Sequence, residues 1–151
     1  MSKCRQVVII VLVVYLISLG WLLFFYEDSH YSRLTDESIT HNLTPFKTIR
    51  HYVFVIFQTH HGFAIKSSAA VNLLGNVLLF FPLGILLPVA FPLYNNVITA
   101  FIMVVAICSV ELLQWIFSIG VFDIDDIILN VAGCLMGLFF SFPYRGTNER
   151  R

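Results

Sequence analysis

The sequence predicts an all-α integral membrane protein: a four-helix transmembrane bundle with an extracytoplasmic amphipathic helix between spans 1 and 2. Three observations lead there. The 151 residues are 58% hydrophobic and only 12% charged, with a mean hydropathy of +0.85, whereas soluble domains are about half apolar and about a quarter charged. Four runs are apolar enough to cross about 30 Å of hydrocarbon, which takes about 20 helical residues. The long segment between the first two runs carries a helical alternation of its own. Composition thus excludes a soluble enzyme, a disordered tail and a disulfide scaffold. Nine Lys or Arg against nine Asp or Glu leave no broad positive field for nucleic acid.

The runs extend over about 7–26, 71–93, 97–117 and 124–142, so that residues 1–151 form a single membrane domain. In lipid each run is a helix, because unpaired backbone amides find no water there. Lys3 and Arg5 before the first run resemble the start of a signal peptide. That run is long, ends in Trp21 and Tyr26 and lacks a small-residue cleavage site, so it reads as an uncleaved anchor. Basic residues flank the two termini (Lys3, Arg5; Arg145, Arg150, Arg151) and are missing from the turn at Asn95 and Asn96. Both termini are therefore expected in the cytoplasm of a multi-pass protein, with the loop 27–70 outside.

Within that loop Thr44 offers a helix N-cap and Pro45 suits the first helical position. Phe46, Ile49, Val53, Ile56 and Phe57 then recur on one face, opposite Lys47, Arg50, His51 and Gln58, with Phe54 an apolar exception. A helix lying on the outer membrane surface is the reading preferred over a re-entrant piece.

The polar residues of the last three spans fall towards one end. Asn72 and Asn76 lie early in the second span. Glu111 and Gln114 lie late in the third, with Glu111 about 9 Å below Phe117 at 1.5 Å per residue. Asp123, Asp125, Asp126 and Asn130 open the fourth. Asn72 and Asn76, Glu111 and Gln114, and Asp123, Asp126 and Asn130 each share a helical face. Charged groups at membrane depth are costly and turn inward, so these faces predict an outward-opening polar pocket. Its lining is Asn72, Asn76, Glu111, Gln114, Asp123, Asp126 and Asn130. The plainer reading of Asp123 and Asp125 is helix capping, and that of the two asparagines is hydrogen bonding between helices.

Other residues read as packing. Gly133 and Gly137 make a small-xxx-small pair, Gly75 offers the same in the second span, and Pro82, Gly84 and Pro88 should bend that span and free a carbonyl near Pro82. Cys4, Cys108 and Cys134 sit in or beside apolar runs, which predicts no disulfide. His60 and His61 are only a weak metal signal, and neither a metal site nor a cofactor is expected.

Four stretches, NLTPF (Asn42–Phe46), NLLGNVLLFFPLG (Asn72–Gly84), ELLQWIF (Glu111–Phe117) and FDIDDIILNVAGCLMG (Phe122–Gly137), occur in an order and combination that resembles the VanZ-like membrane proteins. The resemblance covers about Asn42 to Gly137. Many members of that family carry an Arg shortly before the first Asp of the last motif, where this sequence reads SIGVFD. The resemblance implies a bacterial cytoplasmic-membrane protein that lowers susceptibility to lipid-bearing glycopeptide antibiotics, teicoplanin above all. It brings no reaction with it. The partners expected are a membrane lipid, a lipid-linked wall precursor or the lipoglycopeptide, with a homo-oligomer as a further option.

Three function classes follow. The leading one is a non-enzymatic factor that binds drug, lipid or precursor through the outer-leaflet pocket. The alternative is a membrane-embedded enzyme acting on an envelope lipid, with Glu111 and Asp126 as acid and base; no nucleophile motif, HExxH or phosphate loop accompanies them. A proton- or cation-coupled transporter is the third, though the outer cluster has no inward-facing counterpart.

Overall fold

The computed structural model describes residues 3–25, 41–58, 62–92, 95–117 and 119–145. They form five helices: α1 (Lys3–Phe25), α2 (Lys47–Phe57), α3 (Phe63–Ala90), α4 (Asn96–Ile116) and α5 (Ile124–Arg145). Two short strands, β1 (His41–Asn42) and β2 (Phe122–Asp123), pair in parallel with His41 opposite Phe122 and Asn42 opposite Asp123. Four helices, all but α2, are long and apolar enough to cross a membrane. The expected architecture of a multi-pass bundle with a shorter helix between its first two spans is therefore present.

The helix ends differ from the apolar windows for a simple reason. Hydropathy marks the stretch that lipid surrounds, whereas the helix continues until its backbone bonding stops. α3 thus begins at Phe63 rather than Val71, and its 28 residues extend about 42 Å, beyond the hydrocarbon layer. Lys66, Ser67 and Ser68 fall in this extra length, and Ser67 returns its hydroxyl to the carbonyl of Ala64 (2.8 Å). α1 begins at Lys3; the expected end at Tyr26, like Leu93 and the pair His60 and His61, lies outside the described residues. α4 starts at a side-chain cap, Asn95, whose Oδ1 accepts from the Ile98 amide at 2.8 Å.

The centre of the bundle is the parallel contact of α3 with α5, the most extensive helix pair. A Cβ on Gly133 would lie 2.2 Å from the Val77 carbonyl oxygen, and one on Gly137 would lie 2.1 Å from that of Phe81. A Cβ on Gly84 would lie 2.1 Å from the Cys134 carbonyl oxygen. The three glycines therefore let the two backbones touch, as small residues do between membrane helices. Gly75 takes no part, because the space where its Cβ would stand is open. Leu12, Leu19, Phe80, Leu83, Ala90, Met103, Ile107 and Cys134 fill the core around this contact.

α3 remains helical through Pro82 and Pro88. Proline disturbs the carbonyls one turn before it, and there the Tyr15 hydroxyl of α1 donates to the Leu79 carbonyl. Two more bonds fix the register of α1: Arg5 Nε donates to the Ala90 carbonyl (2.9 Å), and Gln114 Nε2 of α4 donates to the Leu23 carbonyl (2.9 Å). A cationic side chain at the last carbonyls of α3 also suits the negative end of its dipole. The starts of α3 and α5 and the ends of α1 and α4 consequently share one end of the bundle, where α2 lies.

Replacing Gly84 with Ala should destabilise the purified protein by about 1–3 kcal/mol, because backbone rather than a movable side chain blocks the new methyl group. Gly75→Ala, facing open space, should leave thermal unfolding in detergent unchanged. Equal loss in both variants would remove the α3–α5 contact as the cause.

Candidate functional site at the α2 end of the bundle

Two groups of polar residues meet at this end. The outer group is built where β2 enters α5. Asp123, 2% exposed, closes the start of α5 by accepting the Asp125 amide on Oδ1 (2.9 Å). The same Oδ1 accepts from Asn42 Nδ2 (3.1 Å), and Oδ2 accepts from the Thr48 hydroxyl (2.6 Å). Asn42 also donates to Thr48 Oγ1 (3.0 Å) and accepts the Thr44 amide (3.3 Å). One carboxylate thereby joins β1, α2 and α5.

Asp125 has no solvent exposure, and its acceptors all serve α2. Oδ1 takes the Phe46 amide at 2.5 Å, and Oδ2 takes those of Thr48 (2.7 Å) and Ile49 (3.1 Å). The first amides of a helix have no partner within it, and a carboxylate there both accepts hydrogen bonds and faces the positive end of the dipole. Asp125 is thus the cap of a helix 77 positions earlier in the chain. This corrects the expectation that Thr44 caps the helix and Pro45 begins it. α2 starts at Lys47, after Phe46 in a left-handed conformation (φ 64°, ψ 8°), and no side chain of its own segment caps it. The chain turns sharply at Phe46 to deliver its amides to Asp125, at a conformational cost of about 1–2 kcal/mol for a non-glycine residue.

The orientation of α2 also differs from the expected one. Thr48, Ile49, Tyr52, Val55 and Ile56 turn towards the bundle, with Val55 the most buried of them. Phe46, Val53, Phe54 and Phe57 are exposed. The predicted apolar face is therefore split: Ile49 and Ile56 pack inward, and Phe46, Val53 and Phe57 face out beside Phe54. The Thr48 bonds to Asp123 and Asp125 set this rotation.

The inner group lies deeper along α5. Asp126 accepts from Asn76 Nδ2 of α3 at 2.6 Å. Glu111 of α4 is 6% exposed, and Asn130 Nδ2 approaches its Oε1 at 3.5 Å, the outer limit of a hydrogen bond. Asn130 is itself 3% exposed, and its Oδ1 has no hydrogen-bond partner among the described residues. Asp126 and Asn130, one turn apart on α5, reach Asn76 on one side and Glu111 on the other, whereas Asp123, expected on the same helical face, lies in β2 before the helix and meets Asn42 and Thr48. Gln114 instead bonds α1, and Asn72 donates to the Ser68 carbonyl of its own helix (3.0 Å). Among the described residues no group of three His, Cys, Asp or Glu is arranged to hold a metal ion.

Asn42 and Thr48 were not singled out by sequence, and Asp125 was read only as a possible cap of its own helix. The signal for Asp125 was present in the Asp-x-Asp-Asp spacing, since a helix needs one capping carboxylate and this one opens with three. Nothing local identified its partner.

The model of the VanZ/LLP1 family matches residues 12–143. Among known proteins, "Protein VanZ" of Enterococcus faecium is 30% identical over 143 residues, which cover 93% of this chain and 77% of that one. No solved structure matches.

Asp125→Ala should leave the three amides of α2 without their acceptor and cost on the order of 2–4 kcal/mol. Hydrogen exchange at Phe46, Thr48 and Ile49 should rise with it, while Thr44→Ala should change stability by less than about 0.5 kcal/mol. Unchanged exchange in Asp125→Ala would show that α2 is held by its packing alone.

Proposed function

This chain belongs to the VanZ/LLP1 family, and on that premise we propose that it lowers bacterial susceptibility to teicoplanin-like lipoglycopeptides from within the cytoplasmic membrane. It does so without chemistry, by engaging the drug, a membrane lipid or a lipid-linked wall precursor at the α2 end of the bundle. The observation that carries this reading is the joining, through Asp123 and Asp125, of an aromatic helix to the half-buried Asn76–Asp126 pair and the buried Glu111–Asn130 pair. An amphiphile with an acyl tail and a polar head needs such a combination: apolar surface at the level of the span ends, with hydrogen-bonding groups beside it.

The charge distribution supports an outward-facing α2 end. Lys3 and Arg5 stand in the first turn of α1 at the opposite end, and Arg145, Arg150 and Arg151 follow the last apolar run, a pattern that by the positive-inside rule favours cytoplasmic termini. Lipoglycopeptides act on the outer surface, so the site and the drug would meet in the same leaflet.

A second reading is an embedded acid and base pair acting on an envelope lipid. It is favoured by one specific feature: Asp126 and Glu111 are each approached by a neutral amide, which leaves either carboxyl able to hold or release a proton.

The intact protein, expressed in a susceptible Gram-positive host, should raise the inhibitory concentration of teicoplanin. Glu111→Gln and Asp126→Asn, at matched membrane levels, should return it to that of the host alone. Protection that survives in both variants would separate the inner pairs from the function, and turnover of a labelled envelope lipid by pure protein would establish the second reading.

A further inference from the structure

The exposed face of α2 and its charges point to a particular ligand chemistry. At about 100° per residue, α2 divides into three sectors. Thr48, Ile49, Tyr52, Val55 and Ile56 face the bundle. Phe46, Val53, Phe54 and Phe57, with exposures of 55, 40, 59 and 81%, form a bare aromatic stripe, and Arg50 stands within it. Lys47 and His51 occupy the neighbouring sector, both exposed. No acidic residue lies in the helix. A shallow groove runs along the stripe, lined by Ile49, Arg50, Val53, Phe54, Phe57 and Gln58.

We propose that this groove binds an anionic phospholipid, with the phosphate on Arg50 and Lys47 and the first acyl carbons along Val53, Phe54 and Phe57. Three features select a lipid over a protein partner. The caps from Asp125 and Asp123 fix α2 where the spans end, which is headgroup level. Phe63, which opens the first span to follow α2, is exposed as the stripe is. The charge on the helix is wholly positive, which complements phosphate and gains about a fivefold preference per basic residue close to an anionic surface. The inner group offers a phosphate only carboxyl and amide side chains, Glu111, Asp126, Asn76 and Asn130, with no basic residue among them. The proposal deepens the reading above by naming the lipid class and its contact, and depends on it only for the consequence of binding.

The test uses the full chain in phosphatidylcholine vesicles carrying a trace of spin-labelled phosphatidylglycerol or spin-labelled phosphatidylcholine. The intact protein should immobilise the anionic lipid several-fold more than the zwitterionic one. Lys47→Gln with Arg50→Gln, both at exposed positions, should abolish the preference while circular dichroism stays unchanged. Phe54→Ser with Phe57→Ser should lower the immobilisation of both lipids. Equal immobilisation of the two lipids by the intact protein, or a preference that outlives the loss of Lys47 and Arg50, would overturn the proposal. So would a preference removed by inorganic phosphate but not by sodium chloride of equal ionic strength, which would identify a site for phosphate alone. A lipid preference in a protein that gives no teicoplanin protection would instead refute the resistance reading and leave the lipid site standing.

Discussion

The Asp125 carboxylate is the constraint on which this end of the molecule depends. It is buried, and three backbone amides at the start of α2 converge on it. The dependence is mutual. α2 has eleven residues, too few to be stable as an isolated helix in water, and its own sequence supplies no side-chain cap. The carboxylate needs the helix for donors, and the helix needs the carboxylate for its first turn. Asp123 repeats the arrangement through side chains, with Thr48 and Asn42 as donors. A segment distant in sequence is thereby held in one rotation and one position, and the rotation decides which aromatic residues are exposed.

The close contact of α3 with α5 supplies the second half of the architecture. Gly84, Gly133 and Gly137 allow the two backbones to approach so closely that the helices cannot slide or turn against one another without a clash. The Asn76–Asp126 bond joins the same two helices. Glu111 approaches the stripe from α4, through Asn130. A rigid apolar contact thus positions polar groups that hydrogen bonding alone would hold poorly, since a single bond contributes only about 1 kcal/mol net.

The four spans were legible because a run of some 20 apolar residues has one solution in lipid, whatever its neighbours. The Asp126 and Asn130 pair was legible for a similar reason, as positions four apart share a face in any helix, while Asp123 falls in β2 just before it. Direction beyond the face was not. Gln114 lies on the face of Glu111, yet its longer side chain reaches Leu23 of α1. Asn72 lies on the face of Asn76, yet it bonds back to Ser68. The start of α2 was misread because the local pattern of Thr44 and Pro45 is a sound cap signal, while the actual cap comes from 77 positions later. Its rotation was misread because an amphipathic pattern assumes two faces, and α2 has three: one against the bundle, an exposed aromatic stripe and an exposed sector with Lys47 and His51.

The unequal satisfaction of the acidic residues separates structure from function at this site. Asp123 and Asp125 receive donors on both oxygens, and every donor belongs to the frame of the fold. The inner group is sparser. Glu111 has one long contact, and the Asn130 oxygen beside it is buried with no described partner. An unmade hydrogen bond in a low-dielectric setting costs about 1–3 kcal/mol, and a fold gains nothing by keeping it. A donor such as a water or a hydroxyl beside Glu111 and Asn130 would satisfy that oxygen, whereas the outer carboxylates already have donors on both of theirs. The outer pair therefore builds the frame of this end, and the inner pair is the one left with hydrogen-bonding capacity to spare.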